Sequence, residues 1–425
     1  MFRKFGKKLL KMDLSKNAHE RKFNEMLNHQ SLHPLLTVKK LRLFLISAGS
    51  FLTILSQAPF LREQAGIITQ LISYPIWLIV IMISLFLKVR YKNPSIQIIV
   101  ILFFLFVIIG SFFQIITRNQ YLTSGFSFQI YLSLLMVFIG YANSDILVND
   151  GFFKVKAAYI VATIILCINI FLTYFQSYNW TTVEYLYRAK NSTGQIILTA
   201  SVLLLFFLPY KKIKRIGVYI LLIFFFIMIV MLRSRATLVS YFFVPVVFLS
   251  QQKIKVQYKI FIISALSALA ILLFSNDLFF NFFIKNIIFK MGDNMSILDL
   301  DLNYITSNRA DYFNLFQELI HGSEFTGIGY YYLDNFFLAA IINYGFILGI
   351  IVLVIALFPL KHSFKKSKNL NHNLRFCYIS LALIYTFNGL FEGYAPFGPG
   401  AKCFLLWLIF GVALNQSNNL HGLMD

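Results

Sequence analysis

The chain alternates between long apolar runs and short polar segments. Twelve of the runs are long enough to cross a hydrocarbon layer about 30 Å thick. Backbone N–H and C=O groups must pair internally in lipid, so each run is predicted to be helical. No internal repeat or low-complexity linker divides them. The runs lie at 41–60, 67–87, 95–116, 126–142, 157–175, 195–210, 216–232, 236–250, 259–275, 335–358, 376–391 and 401–415.

The composition supports the same interpretation. Hydrophobic residues make up 58% of the 425 residues and charged residues 13%, with a mean hydropathy of +0.72. A soluble domain of this length cannot remove so much apolar surface from water. We therefore predict an all-α, polytopic integral membrane protein with about 12 transmembrane helices. A basic cytoplasmic segment (1–40) precedes the membrane domain (41–415), which contains a long extracytoplasmic loop (276–334).

The N-terminal segment and the cysteines limit the kinds of site that the chain can contain. The first residues, "MFRKFGKKLLKMDL", fit a basic amphipathic helix on an anionic leaflet and a disordered basic tail equally well. The three cysteines have neither the spacing of a metal site nor that of a disulfide framework.

Positive charge is unevenly distributed among the polar segments. Of the 38 Lys and Arg residues, 28 fall in alternate segments. Those segments are 1–42, 88–94, 143–156, 211–215, 251–259 and 359–375. The positive-inside rule places them, and both termini, in the cytoplasm. The net charge of +21 is thus explained by topology, and we expect no nucleic-acid partner.

Several basic residues remain on the predicted outer side. Arg233 and Arg235 lie in the tight turn of "MLRSRATLVSYFF", where a charge near membrane depth costs about 2.5–3.5 kcal/mol. A phosphate ligand and a structural ion pair both remain possible partners for them. A second outer loop, "EYLYRAKNSTGQ", supplies Arg188, Lys190 and Asn191.

The segment "NRADYFNLFQELIHGSEFTGIGYYYLDN" carries the richest polar chemistry. Apolar spacing predicts a short amphipathic helix that starts just after Arg309 and breaks near His321 and Gly322. Asp334 and Asn335 then stand at the lip of a long apolar run. The pair of glycines in "GIG" lacks the third glycine and preceding strand of a dinucleotide loop.

Four stretches together resemble the O-antigen polymerase and ligase superfamily of bacterial envelope polysaccharide assembly. They are "RAKNSTGQIILTA", "LRSRATLVSYFF", the segment from "NRADYF" through "LDNFFLAAIINYGFILG", and "FNGLFEGYAPFGPGAKCFLLWLIFG". All four follow Arg188, and the N-terminal half of the chain matches the family only in hydropathy.

The resemblance implies a GT-C-like glycosyltransferase that needs no metal or other cofactor. Its donor would be an oligosaccharide on undecaprenyl pyrophosphate, at the outer face of the bacterial inner membrane. Arg235 and Arg309 match the arginines that hold pyrophosphate, and Asp334 would orient the acceptor hydroxyl and take its proton. Glu392 is the alternative base. The further expected substrate contacts are Arg188, Lys190, Asn191, Arg233, Tyr330, Asn335 and Glu392.

The alternatives to a polymerase are a ligase, which uses a different acceptor, and proteins of other functional classes. Ligases typically have His where this chain has Asp334, and the Asp-Asn pair favours a polymerase. A flippase for lipid-linked oligosaccharides usually carries charges within its spans, which are nearly free of charge here. A scaffold protein would not need Arg235, Arg309 and Asp334 together. The expected partners are the lipid-linked oligosaccharide and the bilayer. A chain-length regulator is an optional further partner.

Overall fold

The structure is a computed structural model in which every regular element of the described chain is helical. It describes residues 38–64, 72–87, 93–175, 189–207, 212–251, 311–365, 367–398 and 403–416, with a few single positions between 256 and 277. The prediction of an all-α fold is confirmed over these ranges.

The main helices are labelled α1 to α13 in chain order, beginning with α1 at 38–55. They continue as α2 (Pro59–Gln64), α3 (Tyr74–Leu85), α4 (Pro94–Thr117), α5 (Gly125–Ala142), α6 (Phe152–Ile170), α7 (Lys190–Phe206), α8 (Lys212–Met231), α9 (Arg235–Gln251), α10 (Tyr312–Ile320), α11 (Phe336–Lys365), α12 (His372–Asn388) and α13 (Phe404–Gln416).

Four of these helices are long and apolar enough to cross a membrane. They are α4, α5, α6 with its π-helical extension, and α11. Shorter apolar helices are Tyr74–Leu85, Arg215–Met231, Arg235–Val247 and Phe404–Gln416. The chain is thus a membrane-embedded helical protein, whereas twelve spans remain a prediction. Most of the run at 259–275 and of the loop at 276–334 lies outside the described residues.

Polar residues at helix starts explain several of the boundaries. The side chain of Asn93 accepts a hydrogen bond from Ser95 N at 2.8 Å, directly before Pro94. The side chain of Asn371 caps α12 in the same way, at 2.8 Å from Leu374 N. Such caps satisfy backbone donors that a helix leaves unpaired, and each contributes about 1 kcal/mol.

Helices α5 and α13 form the closest pair in the core. A Cβ added to Gly140 would lie 2.9 Å from the carbonyl carbon of Leu408, and one added to Gly411 would lie 2.8 Å from Tyr141 N. Small residues let helix backbones approach where lipid provides no hydrophobic drive between helices. These two glycines therefore fix the spacing of the central helices.

The two ends of the bundle differ in charge. At one end, the Arg42 end, Arg42 pairs with Asp145 at 3.1 Å and donates to Asn143 Oδ1 at 3.2 Å, which joins the start of α1 to the end of α5. The chain alternates between this end and the opposite one, the Asp334 end. Basic residues described at the Arg42 end are Lys39, Lys40, Arg42, Lys154, Lys156, Lys212, Lys214, Arg215, Lys361, Lys365, Lys368 and Arg375. Those described at the Asp334 end are Arg62, Arg118, Lys190, Arg233 and Arg235. The helix order therefore separates charge as the predicted topology requires, while the membrane side of each end stays a prediction.

Helix α11 differs from the continuous helix predicted for 335–358. Gly345 has φ 67° and ψ −178°, which is not helical, and the helix is interrupted there. The prediction of one unbroken apolar helix behind Asp334 is wrong at this residue. The polar loop described next packs into the break.

Candidate active site

The loop before α11 supplies the hydrogen bonds that the break removes. Ile328 N donates to Ile342 O at 2.9 Å, and Gly329 N donates to Asn343 O at 3.1 Å. On the other side of the break, Phe346 N donates to Glu324 O at 2.7 Å. Buried backbone groups need partners, so the loop and the broken helix stabilise each other.

Two glycines make this contact possible. Gly327 and Gly345 both have positive φ, 73° and 67°, and a Cβ on Gly345 would lie 2.6 Å from Gly327 N. A side chain at either position would meet backbone atoms that have no room to move. Gly329 also has a positive φ, 94°, so the backbone turns tightly at both glycines of the pair.

A buried amide and a buried phenol hold the loop in place. Asn343 is 1% exposed, and its Oδ1 accepts a hydrogen bond from Tyr331 N at 2.6 Å. Tyr121, between α4 and α5, donates from its hydroxyl to Gly327 O at 3.1 Å. Sequence reasoning missed both residues. An amide inside an apolar run was the available signal for Asn343, because polar groups at membrane depth are expensive.

Asp334 and Asn335 link the loop to α11 and α12. The hydroxyl of Tyr332 donates to Asp334 Oδ1 at 2.7 Å, and Asp334 is half-buried. Asn335 Oδ1 caps α11 by accepting from Leu338 N at 3.1 Å. Phe336 N donates to the carbonyl of Gly389, just beyond α12, at 2.8 Å. Asn335 therefore has a clear structural role, and its substrate contact stays a prediction.

Three tyrosines and a second carboxylate surround Asp334. The hydroxyls of Tyr330 and Tyr394 are 2.6 Å apart, and the rings of Tyr332 and Tyr394 have centroids 5.6 Å apart. Tyr330 and Tyr332 are 49% and 52% exposed, whereas Glu392 is only 6% exposed.

The electrostatics of Tyr332 relate the two carboxylates. Partial burial, the hydrogen bond to Asp334 and the charges of Asp334 and Glu392 raise the pKa of Tyr332 above its ordinary value. Both carboxylates thus act on one phenol. The structure brings together the predicted residues Asp334, Glu392 and Tyr330, and it adds Tyr394, which the sequence did not single out.

The predicted basic residues form a second group at the same end. Ser234 Oγ donates to Asn191 Oδ1 at 3.1 Å, which ties the start of α7 to the turn between α8 and α9. Arg233 is 8% exposed with φ 52°, and half-buried Arg235 is the first residue of α9. Asn191, Arg233 and Arg235 therefore lie in one group, with Lys190 beside Asn191. Arg188 and Arg309 lie outside the described residues.

A hydrogen bond between α9 and α12 connects the two groups. Ser240 Oγ, in the second turn of α9, donates to Asn388 Oδ1 at 2.8 Å. Asn388 directly precedes Gly389, whose carbonyl accepts from Phe336 N. The basic group and the carboxylate group thus stand at the same end of the bundle, across α9 and α12.

The described part of the chain contains no group of three His, Cys, Asp or Glu side chains able to hold a metal ion. A comparison with protein-family models finds no match to this chain, and a comparison with curated proteins finds none either. The function is therefore argued from the site.

Proposed function

We propose that the chain is a membrane glycosyltransferase that polymerises the repeat units of a surface polysaccharide. It would transfer glycan from undecaprenyl pyrophosphate to a lipid-linked acceptor, at the outer face of the bacterial inner membrane. The observation that carries the proposal is a carboxylate, Asp334, held among exposed tyrosines at the same end as Arg233 and Arg235. The sequence resemblance to the O-antigen polymerase and ligase superfamily gives the substrate class.

The acceptor would bind at the carboxylate group. Asp334 accepts a hydrogen bond from the acceptor hydroxyl, while Tyr332 fixes the orientation of the carboxylate. The half-exposed faces of Tyr330 and Tyr332 offer flat apolar surfaces for sugar rings. Glu392 is the alternative base, because it acts electrostatically on the same phenol.

The donor pyrophosphate would bind at the basic group. Arg233 and Arg235 stand at the N-terminus of α9, where the helix dipole also favours an anion. Each charge-assisted hydrogen bond contributes about 1.5–3 kcal/mol, and it strengthens as negative charge develops on the leaving phosphate. Arg309 is an expected third contact from the resemblance.

The reaction is a single displacement at the anomeric carbon. The acceptor oxygen bonds to that carbon as its bond to the phosphate oxygen breaks, through a transition state with oxocarbenium character. Undecaprenyl pyrophosphate leaves with the electron pair. The hydroxyl proton passes to Asp334 late in the reaction.

Surface polysaccharide from a deletion strain, complemented with variants, tests the proposal on a gel. Asp334→Asn should collapse the polymer ladder to a single repeat on its normal acceptor. The matched control is Glu324→Gln in the same loop, since the Glu324 side chain accepts hydrogen bonds only locally, from Gly322 N at 2.9 Å and from its own backbone N–H, and it should restore the ladder. A normal ladder with Asp334→Asn would remove Asp334 from proton transfer.

The deletion strain itself separates the alternatives. Full-length chains without the gene would reject the polymerase. Polymer stranded on its lipid carrier would indicate the ligase, and single repeat units retained on the cytoplasmic face would indicate the flippase.

A further inference from the structure

Buried amide and hydroxyl groups on three neighbouring helices lie between the two halves of the candidate active site. They belong to Gln195 and Thr199 on α7, Ser240 on α9, and Tyr385 and Asn388 on α12. We refer to these five residues as the amide pocket. All five are buried, with exposures of 0–1%.

Two hydrogen bonds and one close contact fix the positions of α7, α9 and α12 relative to one another along the bundle axis. Thr199 bonds to Tyr385 across α7 and α12, and Ser240 bonds to Asn388 across α9 and α12. A Cβ on Gly194 would lie 2.8 Å from Thr237 Oγ1, so α7 and α9 touch one residue before Gln195.

Gln195 and Asn388 therefore lie at nearly the same depth. Gln195 precedes Thr199 by four residues and shares its face of α7, which is the face directed towards Tyr385. Asn388 follows Tyr385 by three residues and shares its face of α12. With a rise of about 1.5 Å per residue, the two amides are displaced by about 4.5 and 6 Å from the Thr199–Tyr385 bond, towards the Asp334 end.

The two amides have hydrogen-bonding capacity that the described residues do not use. Within the described part of the chain, neither Nε2 nor Oε1 of Gln195 has a hydrogen-bond partner, and Nδ2 of Asn388 has none. Leaving such a group buried and unsatisfied costs about 1–3 kcal/mol. Uncharged donors and acceptors of this kind match the hydroxyl groups of a sugar, each of which both donates and accepts.

The position of the pocket favours a sugar over an ordered water. Gln195 lies one helical turn below Asn191, which belongs to the basic group. Asn388 directly precedes Gly389, which contacts the start of α11 beside Asp334. We propose that the amide pocket binds hydroxyl groups of the donor sugar nearest the pyrophosphate, and so selects the repeat unit. This proposal rests on the proposed function.

Two probes and one conservative variant test the pocket. The probes are undecaprenyl pyrophosphate without glycan and the same carrier bearing the host repeat unit, and binding is measured on purified protein in nanodiscs. We expect wild type to bind the glycan-bearing carrier more tightly. Gln195→Met, which keeps the volume but removes the amide, should lose about tenfold of that preference and bind the bare carrier unchanged.

The thermal stability of Gln195→Met should equal or exceed that of wild type, because the variant removes two unsatisfied buried groups. Gln195→Leu is a second variant should Met fail to fold. Ser201→Ala is the matched control on the same helix, since Ser201 Oγ bonds to Ile197 O, one turn earlier, at 3.0 Å and to the Tyr241 side chain on α9, neither of which belongs to the amide pocket. Its preference should stay at the wild-type value.

An unchanged glycan preference in Gln195→Met would refute sugar binding at the amide pocket. An ordered water would then be the partner of the two amides. If wild type binds neither probe, the proposed function fails and the pocket fails with it. If wild type binds both probes equally, only the pocket is rejected.

Discussion

Replacing Gly345 by alanine should break the joint between the polar loop and the apolar helix α11. The residue has φ 67° and ψ −178°, a conformation that is essentially restricted to glycine. An added Cβ would lie 2.6 Å from Gly327 N and would also overlap the carbonyl of Phe325. These are backbone atoms, so no side-chain rotation relieves the overlap.

The magnitude follows from two terms. A residue with a Cβ in a sparsely populated backbone region costs about 1–3 kcal/mol. Relieving the overlap also separates the loop from the break, and each lost hydrogen bond there costs about 1 kcal/mol. With one of these hydrogen bonds lost, we expect a total destabilisation of about 2–4 kcal/mol.

The assay is thermal unfolding of purified protein in detergent or nanodiscs, together with the polymer ladder in the complemented deletion strain. We expect a lower unfolding temperature and a shortened or absent ladder. Gly217→Ala is the matched control, because Gly217 lies within α8 and a Cβ there would meet nothing within 4 Å. That variant should be neutral or more stable, as alanine is the better helix former.

A double variant sharpens the test. Gly327→Ala introduces the reciprocal overlap at the same joint, so Gly327→Ala with Gly345→Ala should cost much less than the sum of the two single variants. A Gly345→Ala protein with wild-type stability and ladder would refute the assignment of this joint.

Four further outcomes are expected. Arg233→Gly should raise the unfolding temperature, because it relieves a φ of 52° that costs about 1–2 kcal/mol, yet it should shorten the ladder if Arg233 binds pyrophosphate. Tyr332→Phe removes the 2.7 Å hydrogen bond to Asp334 and should reduce polymer synthesis severalfold while leaving the unfolding temperature within about 2 °C. Since the pKa of Tyr332 is raised, the phenol stays a donor at ordinary pH, and the bond should weaken only as pH rises above about 10, which ultraviolet titration against Tyr332→Phe would measure. Gly411→Val should prevent folding by separating α5 from α13, which fluorescence-detected size exclusion would show as loss of the monodisperse peak.

Sequence patterns predicted the elements well where one physical rule dominates. The short helix expected between Arg309 and His321 is observed at Tyr312–Ile320, because its apolar residues recur at helical spacing. The positive-inside rule also separates the described basic residues into two ends. Both patterns are local, so a single sequence carries them.

The rest depends on contacts between distant segments. Gly345 stands in a largely apolar run, and the approach of Gly327 from another part of the chain explains its conformation. The sequence alone did not indicate Tyr394 or Gln195 as site residues, because their roles also depend on distant segments. Tyr394 gains its role from Tyr330, and the significance of Gln195 appears only once α7 is seen against α12.

The break at Gly345 also sets how deep the polar loop lies. From Phe346 to the charged end of α11 at Lys361, the apolar segment rises about 22 Å, which is short of a hydrocarbon layer of about 30 Å. The remaining thickness must be covered by the turns before Gly345, and the segment from Glu324 to Gly329 is bonded to those turns. We therefore expect a re-entrant loop that dips below the headgroups and carries the polar wall of the site into the membrane, where its pairing with the broken helix keeps its backbone satisfied.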